Sequence, residues 1–294
     1  MLINIDQFDL VPAATSELPA AVLPSFAWDR RACKPLIDLI QFLEMNFNAL
    51  DIDAVLEAVV AEPADRPFKY IVTPNVDHVV RLQRRRSDLW PAYRGAWMTL
   101  CDSRILSKMA RLVDTNLPVV PGSDLTREMF EKVIGKCDAV SILGGQPEMI
   151  ARITDQYGLR NVRHYNPPMG FIRSPREVRR AVAFLVEAPS RYVFLAVGSP
   201  QQERIAHRVR QFRGARGIGF CVGASLDFLG GEQERAPAFM QAMAMEWLFR
   251  LMADPRRMWR RYLVEGPQIF QIHRDWQRMV GERPAFGQSD GPLR

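Results

Sequence analysis

The 294-residue sequence is poor in cysteine and contains no long apolar run. Its four cysteines, Cys33, Cys101, Cys137 and Cys221, stand singly in different segments. This spacing argues against a disulfide framework and a zinc site, and it favours a reducing compartment. Because no run reaches about 18 apolar residues, no membrane-spanning helix is predicted. The start of the chain lacks the basic region of a signal peptide, so the cytoplasm is the expected location.

Motifs for metals and dinucleotides are also missing. The four histidines, His78, His164, His207 and His273, are scattered without ligand spacing, so no metal is predicted. Asp51-Ile52-Asp53 has the form of an Asp-x-Asp metal motif, but it opens an amphipathic helix, and helix capping is the better interpretation. The glycines of segment 217–223 do not have the spacing of a dinucleotide fingerprint. No cofactor is therefore predicted.

The charge that is present points to an anionic partner. The chain carries a net charge of +6 with a pI near 9.4, and much of the excess is arginine at 250–261. Such a charge would attract a nucleotide, a diphosphate, an anionic membrane or a nucleic acid. With 48% hydrophobic residues, the chain can bury the core of one large domain, or of one domain with an appendage.

Short apolar runs alternate with amphipathic segments through most of the chain. The predicted strands are Tyr70–Val72, Trp97–Leu100, Ala139–Leu143, Val162–Tyr165, Tyr192–Val197 and Gly217–Val222. The predicted helices are a helix that begins at Asp51, then 76–86, 103–112, 124–135, 147–157, 175–187 and 201–212. Such alternation predicts an α/β fold, with a Rossmann-like, doubly wound and mostly parallel sheet.

Four regions are predicted from these patterns. Residues 1–42 form a loosely ordered extension, in which a helical pattern at 35–44 docks on the main domain. Residues 43–234 form the Rossmann-like core, and residues 235–280 form a basic amphipathic helical appendage. Residues 281–294 are rich in Gly, Pro and polar residues and are predicted to be disordered.

Polar or glycine-rich turns follow five of the predicted strands. These turns are Thr73-Pro74-Asn75, Cys101-Asp102-Ser103, Gly144-Gly145-Gln146-Pro147, Gly198 to Glu203, and Gly223 to Asp227. Ligands of open parallel sheets bind beyond the carboxyl ends of the strands, so the five turns predict one site along one edge.

Individual residues of these turns have competing interpretations. Asp102 could act as a general base, although spacing alone favours a helix N-cap. Asn75 could bind a base or sugar together with Thr73, or it could cap the next helix, and the two interpretations are about equally supported. Gly144 and Gly145, followed by a proline suited to a first helical position, indicate an anion-binding helix N-terminus.

The appendage alternates arginine with Trp, Met, Leu and Tyr at helical spacing. Guanidinium groups on such a segment could bind phosphates while its apolar side rests on protein or on a bilayer. Simple packing, with the arginines solvated, is an alternative. Nucleic acid is not a predicted partner, since the basic residues form one compact cluster and no nucleic-acid motif occurs elsewhere.

Taken together, these motifs resemble the WecG/TagA/CpsF glycosyltransferase family over roughly Met45 to Trp276. Besides the strand-end turns, the matching motifs are Pro121-Gly122-Ser123-Asp124-Leu125, Phe228, Arg235-Ala236-Pro237, Glu246 to Arg250, and Pro255 to Tyr262. The resemblance implies an inverting, metal-independent enzyme. It would move a hexose-type sugar from a UDP-sugar to a polyprenyl-diphosphate-linked saccharide, in exopolysaccharide or cell-surface polymer biosynthesis. Such an enzyme would work at the inner face of the cell membrane as a peripheral protein, and a homo-oligomer is compatible with the sequence.

The resemblance also implies roles for individual residues. Asp102 matches the proposed general base, and Thr73, Asn75 and Gln202 match positions near the donor sugar. The tail arginines that match proposed diphosphate ligands are Arg250, Arg257 and Arg260; Met258 and Trp259 are candidates for the membrane-facing side. Asp124 and Asp227 match acids of the family motifs. The chain departs from the family pattern in having Ser103 after Asp102, in the segment 166–171, and in the extension to residue 42.

Two other functions compete with this interpretation. A nucleotide-dependent oxidoreductase would share the fold class, but the missing Gly-x-Gly-x-x-Gly turn weakens it. A non-catalytic protein could bind an anionic polymer or membrane through the basic appendage alone. The sequence does not identify the donor sugar, the acceptor or the polymer.

Overall fold

The computed structural model describes residues 38–231, 240 and 245–281, and for residues 246, 250 and 257 it describes the backbone alone. Most of the predicted N-terminal extension, the Arg235-Ala236-Pro237 motif and residues 282–294 therefore lie outside the described residues. The boundaries of the four predicted regions stay predictions.

A six-stranded parallel sheet forms the centre of the protein, in the order β4-β3-β8-β7-β5-β6. Its strands are β3 (Lys69–Val72), β4 (Met98–Thr99), β5 (Val140–Leu143), β6 (Val162–Tyr165), β7 (Tyr192–Leu195) and β8 (Ile218–Cys221). These correspond to the six predicted strands. The first and last of them, β3 and β8, are neighbours in the middle of the sheet. The predicted Rossmann-like α/β fold is thereby confirmed.

Helices cover both faces of this sheet. They are α1 (Ile52–Ala61), α2 (Val76–Arg84), α3 (Trp90–Arg94), α4 (Arg104–Arg111), α5 (Gly122–Glu128), α6 (Pro147–Tyr157), α7 (Pro175–Val186), α8 (Gln201–Arg210) and α9 (Ser225–Leu229). Single turns of 3₁₀-helix occur at Ser87–Leu89 and Phe171–Arg173, and α5 continues as a π-helical segment, Met129–Val133. The seven helices predicted between Asp51 and residue 212 are confirmed, whereas α3 and α9 were not predicted.

Alternation along the strands divides the core into two layers. Tyr70 and Val72 pack with α2, α4, α7 and α8 on one face, whereas Ile71 between them packs with α1, α5 and α6 on the other. In β5, β7 and β8 all four residues are buried, which is typical of parallel strands covered on both faces. These strands are almost continuous apolar runs in the sequence because helices cover both faces of the sheet.

The predicted helix at 35–44 is wrong where the structure describes it. An antiparallel hairpin occupies this region, with strands β1 (Leu39–Phe42) and β2 (Met45–Asn48). Its two turn residues, Leu43 and Glu44, both have positive φ angles, 51° and 61°. Two-residue hairpin turns with positive φ normally use Gly or Asn, so this turn carries no sequence signal. The run of apolar residues before the turn suits a buried strand as well as a helix.

The C-terminal segment, residues 245–281, is largely helical. It contains α10 (Glu246–Ala253), α11 (Pro255–Trp259), a π-helical segment (Arg260–Glu265) and α12 (Gln268–Gly281). Ile269 and Ile272 of α12 are buried in the same core layer as α2, and Trp276 meets Phe42 edge to face at 5.3 Å between ring centres. The last helix is thus part of the core.

Ion pairs join the C-terminal segment to α2. Arg84 Nη2 lies 3.1 Å from Asp275 Oδ2, and Arg85 Nη1 lies 2.6 Å from Glu265 Oε1. These pairs are partly exposed and contribute little individually to stability. No helix in the described ranges is both long enough and apolar enough to cross a membrane.

Candidate active site

The five polar turns that follow strands lie along one edge of the sheet, because the strands are parallel. We call this edge the rim. In the order of the strands, the rim carries Asp102, then Thr73 and Asn75, then Gly223 and Asp227, then Gln202, and finally Gly144 and Gly145. Neighbouring strands are about 4.8 Å apart, so successive turns adjoin one another. The structure therefore brings the predicted site residues of these five turns into one row.

Asp102 is not the helix cap that its spacing favours. Ser103 occupies the N-cap of α4, and its Oγ accepts a hydrogen bond from the backbone N–H of Leu106 at 3.3 Å. Asp102 stands one residue earlier, partly exposed, and its backbone N–H donates to Pro74 O at 3.0 Å. The capping interpretation of Asp102 is wrong because the serine after it takes that position. By contrast, the predicted cap at Asp51 is confirmed by a 2.9 Å hydrogen bond from Ala54 N.

The capping role of Ser103 can be tested by stability. Replacing Ser103 by Ala is expected to lower the free energy of unfolding by about 1 kcal/mol, because a helix donor loses its acceptor. Replacing it by Gly is expected to cost only a few tenths of a kcal/mol. Urea denaturation of the three proteins measures the difference. Equal stability of the Ala variant and the wild type would contradict this role.

Asn75 and Thr73 connect the strand ends to neighbouring helices. Asn75 caps α2: its Oδ1 accepts from Asp77 N at 3.1 Å, and its own N–H donates to His78 Nδ1 at 3.2 Å. The capping alternative for Asn75 is thus confirmed, although the residue also lines the cavity described below. Thr73 Oγ1 donates to Cys221 O at 3.4 Å, which ties the end of β3 to β8.

The neutral state of His78 predicts a pH effect on stability. Burial, reinforced by the positive charge of Arg81, lowers the pKa of His78 from 6.5 to about 3. In the unfolded chain His78 binds a proton as the pH falls through about 6.5, whereas in the folded protein it stays neutral down to about pH 3. The free energy of unfolding therefore falls as the pH decreases below about 6.5. Between pH 7.5 and 5.5 the wild type is expected to lose about 1.4 kcal/mol more than a His78→Asn variant, in which an amide oxygen replaces the accepting nitrogen. Urea denaturation at both pH values tests this, and equal losses would contradict it.

Asp124 and Asp227 belong to two helices, α5 and α9, whose first residues lie close to Thr73. A Cβ added at Gly122, the first residue of α5, would lie 3.0 Å from Thr73 Oγ1 and 3.4 Å from Ser225 Oγ. The starts of α5 and α9 therefore adjoin the end of β3. Asp124 and Asp227 lie in the first turns of these two helices, and Asp124 Oδ1 is 3.9 Å from Arg127 Nη2.

Gln202 is buried and holds two parts of the rim together. Its Oε1 accepts from Gly223 N at 2.9 Å, and its Nε2 donates to Glu203 Oε1 at 3.0 Å. Burial raises the pKa of Glu203, and the hydrogen bond from Gln202 opposes that rise. The amide of Gln202 thus connects the turn after β7 to the turn after β8. Its predicted contact with the donor sugar stays a prediction.

The Gly144-Gly145 turn has the geometry that its sequence predicts. Both residues have positive φ angles, 97° and 82°, and α6 begins at Pro147. A Cβ at Gly144 would lie 2.7 Å from Ala196 O, so a side chain is excluded there by contact as well as by conformation. His164 Nε2 lies 3.0 Å and 3.2 Å from the carbonyl oxygens of Gly144 and Gly145, and so fixes the turn from β6.

A cavity of about 430 Å³ lies between one end of the rim and the C-terminal segment. Asn75, Asp77, Asp102 and Ser103 line it from the rim side. Trp247, Arg261, Tyr262 and Phe270 line it from the C-terminal segment. Of the predicted site residues, Asp102 and Asn75 therefore share this cavity, whereas Gln202, Gly144, Gly145 and Asp227 lie along the rest of the rim. The cavity contains a carboxylate, a guanidinium and aromatic walls.

The arginine of the C-terminal segment that lines the cavity is not one of the three predicted. Arg260 does not line the cavity: its side chain is 70% exposed, and its Nε lies 3.4 Å from Glu265 Oε1. The side chains of Arg250 and Arg257 lie outside the described part of the structure. Arg261 lines the cavity and pairs with Asp77, and the sequence analysis assigned neither residue. Adjacent residues on a helix point about 100° apart, so the pattern alone cannot decide which of two neighbouring arginines faces the site.

Among the residues that the structure describes, no three His, Cys, Asp or Glu side chains lie close enough together to hold a metal ion. The basic side chains that line the cavity are Arg104 and Arg261.

Known proteins resemble the chain over most of its length. The sequence profile of the family described as "Glycosyl transferase WecG/TagA/CpsF family" matches residues 40–281. One relative, from Bacillus subtilis (strain 168), is named N-acetylglucosaminyldiphosphoundecaprenol N-acetyl-beta-D-mannosaminyltransferase. It is 29% identical over 234 residues, which cover 78% of this chain and 82% of the relative. A protein of the same name from Bacillus spizizenii is 32% identical over 149 residues, 49% of this chain and 55% of that protein. The chain belongs to the WecG/TagA/CpsF family of glycosyl transferases.

Proposed function

We propose that this protein is an inverting glycosyltransferase that transfers N-acetylmannosamine from a UDP-sugar to a polyprenyl-diphosphate-linked N-acetylglucosamine. The names of the two Bacillus relatives support the sugar and the acceptor. The observation that carries the proposal is the position of Asp102, which lies in a cavity between the ends of parallel strands and an arginine-bearing helical segment. Such a cavity can hold a sugar and a diphosphate together.

Asp102 acts as the general base in this proposal. Its carboxylate accepts the proton of the acceptor hydroxyl while that oxygen forms a bond to the anomeric carbon of the donor sugar. The bond from the anomeric carbon to the diphosphate oxygen breaks on the opposite face, and its electron pair leaves with UDP. The configuration at the anomeric carbon is therefore inverted.

The departing diphosphate requires positive charge, and arginines of the C-terminal segment supply it in this proposal. A guanidinium has a fixed fork of donors that matches phosphate oxygens and can stabilise developing negative charge without a metal. The tail arginines of the family motif, Arg250, Arg257 and Arg260, are the proposed ligands of one diphosphate. We expect excess EDTA to leave the rate of transfer unchanged.

A transfer assay tests the proposed reaction. The purified full-length protein is given a synthetic N-acetylglucosaminyl-diphosphate-polyprenol and, in separate reactions, UDP-N-acetylmannosamine, UDP-N-acetylglucosamine and UDP-glucose. We expect a disaccharide lipid and free UDP only with UDP-N-acetylmannosamine. If product formed with one of the other two UDP-sugars and not with UDP-N-acetylmannosamine, that sugar would be the donor instead. The absence of product from all three donors would reject the proposed reaction.

The surface of the C-terminal segment supports association with a membrane. Seven of the eleven exposed large apolar side chains in the described residues lie there: Met252, Trp259, Leu263, Val264, Phe270, Met279 and Val280. Trp259 is 51% exposed, whereas Met258 is partly buried. Exposed apolar groups beside arginines suit the boundary between lipid headgroups and acyl chains. Docking there would bring the cavity to a lipid-linked acceptor at the inner face of the cell membrane.

Vesicle binding tests this association. A Met252→Ser, Trp259→Ser, Val264→Ser triple variant is expected to bind phosphatidylglycerol-containing vesicles at least about tenfold more weakly, because each lost apolar contact removes on the order of 1 kcal/mol. None of these three residues lines the cavity. Met169→Ser, which removes a fully exposed methionine from the turn after β6, is the matched control and is expected to bind as the wild type does. Equal binding by the triple variant and the wild type in a sedimentation assay would contradict the docking surface.

A further inference from the structure

Asp77, in the first turn of α2, holds its carboxylate between two guanidinium groups. Its Oδ2 accepts a hydrogen bond from Arg81 Nη2, one helical turn further along, and lies 3.5 Å from Nη2 of Arg261 in the C-terminal segment. Burial by itself raises the pKa of Asp77, but the charges of Arg261 and Arg81 outweigh burial and lower it. Asp77 is therefore held ionised in a nearly buried position, with its side chain 14% exposed.

Arg81 extends this network to the turn after β7. Its Nη1 donates a hydrogen bond to Ser199 Oγ at 2.9 Å. One row of side chains thus runs from Arg261 through Asp77 and Arg81 to Ser199. It connects the C-terminal segment, α2 and the rim. The position of Arg261 therefore depends on α2 as well as on its own segment.

Arg261 faces the same cavity as Asp102. Its side chain is 32% exposed, and its Nε is buried without a hydrogen-bond partner among the described residues. The centre of its guanidinium lies 5.7 Å from the centre of the Tyr262 ring, which lines the cavity beside it. A buried donor of a charged group that lacks an acceptor is unfavourable. The exposed part of the Arg261 side chain faces the cavity, where an oxyanion could accept a hydrogen bond from the guanidinium.

Two acidic and two basic side chains line the cavity: Asp77, Asp102, Arg104 and Arg261. Asp77 pairs with both Arg261 and Arg81, and the positive charge of Arg81 also acts on the buried carboxyl of Glu203. The low pKa of His78 keeps that neighbour neutral at pH 7. Arg261 is therefore the basic member of this network that lines the cavity.

We infer that Arg261 binds a substrate diphosphate in this cavity and that Asp77 positions its guanidinium. This inference rests on the proposed function and adds to it a ligand outside the three tail arginines of the family motif. In this role Asp77 acts through Arg261: it holds the guanidinium at Nη2, and the part of the side chain that faces the cavity is left for a phosphate oxygen. The diphosphate belongs to the UDP-sugar or to the lipid-linked acceptor, and the KM values of the two substrates distinguish these sources.

Steady-state kinetics of Arg261→Gln, Arg261→Lys, Asp77→Asn and the Asp77→Asn, Arg261→Gln double variant test the inference. Arg261→Gln is expected to lower kcat/KM about 10- to 100-fold for the substrate whose diphosphate it binds, since it removes a charged hydrogen-bond donor. Arg261→Lys keeps the charge without the fork and is expected to recover part of this loss. Asp77→Asn is expected to raise the KM of the same substrate by a smaller factor, and the double variant is expected to match Arg261→Gln.

Arg84→Gln is the matched control, because it also removes an ion pair between α2 and the C-terminal segment but does not line the cavity. It is expected to keep wild-type KM values. Wild-type kinetics in folded Arg261→Gln overturn the assignment of Arg261. Equal effects of Asp77→Asn in the presence and absence of Arg261 overturn the positioning role.

Calorimetric titration with inorganic pyrophosphate and with UDP separates this inference from the proposed reaction. If the wild type makes no disaccharide lipid, the proposed reaction fails. The inference is then judged on pyrophosphate binding, which Arg261→Gln is expected to weaken at least about tenfold relative to the wild type. Pyrophosphate binding that is equal in the wild type and in Arg261→Gln overturns it.

Discussion

Replacing Asp102 by Asn is expected to lower kcat for sugar transfer by about 10²–10⁴-fold, the range typical for the loss of a general base. The amide has nearly the same size and shape as the carboxylate but cannot take the proton of the acceptor hydroxyl. Since Ser103 caps α4, the start of that helix does not depend on Asp102. The loss should therefore appear in the chemical step, which single-turnover product formation measures.

Two controls distinguish this loss from a disturbed site. UDP binding by the Asn variant is expected to stay near the wild-type value, because the proposed role of Asp102 concerns the acceptor hydroxyl. Asp88→Asn removes a carboxylate whose partner, Arg86, lies outside the cavity, and its transfer rate should be unchanged. A rate for Asp102→Asn within a few-fold of wild type would falsify the role of Asp102 as base. It would also favour the non-catalytic binding protein that the basic appendage alone suggests.

The parallel sheet could be predicted because its strands are buried on both faces. Strands such as β7 are continuous apolar runs, and the amphipathic helices between them have a different period, so the two kinds of element are distinct in the sequence. Once the strands are parallel, their carboxyl ends lie at one edge. The row of turns from Asp102 to Gly145 follows from that geometry.

The N-terminal hairpin could not be predicted by the same reasoning. Its turn residues, Leu43 and Glu44, adopt positive φ angles that sequence patterns associate with Gly or Asn. Tertiary contacts stabilise the turn: Leu43 is fully buried, and its carbonyl oxygen accepts a 2.7 Å hydrogen bond from Gln83 Nε2 of α2. A local signal cannot report a partner that lies 40 residues away.

The sequence allowed us to predict which turns contribute residues to the site, but not which side chains form hydrogen bonds and ion pairs there. Spacing placed Asp102 and Asn75 near each other, yet it misjudged the cap because Asp and Ser are both good N-cap residues and stand next to each other. The Asp77–Arg261 pair could not be predicted because its members are far apart in the chain and meet only when the C-terminal segment packs on α2. Pairs of this kind become visible only in three dimensions.

A chain that ends at Gly231 is expected to lose transfer activity by at least about 10³-fold. It lacks Arg261 and the other tail arginines, which stabilise the departing diphosphate in the proposed mechanism. It also lacks Trp247, Tyr262 and Phe270, so that one wall of the cavity is open to water. Product formation by the shortened chain, compared with a chain that ends at Gly281, measures the effect; the chain that ends at Gly281 should be active because it keeps α12.

The shortened chain also lacks α12, so a loss of activity could reflect a loss of stability. A second variant separates the two effects. Ile269 and Ile272 are 1% and 2% exposed, so their removal uncovers the core and costs about 1.5–3 kcal/mol of stability for each side chain. A full-length Trp247→Ala, Tyr262→Ala variant keeps α12 and removes only aromatic walls of the cavity, whose rings lie 6.0 Å apart. We expect it to unfold near the wild-type temperature and to transfer sugar at least about tenfold more slowly, because water then enters beside Asp102. Wild-type transfer by this folded variant would show that the C-terminal segment merely packs on the core, and the loss in the shortened chain would then reflect stability alone.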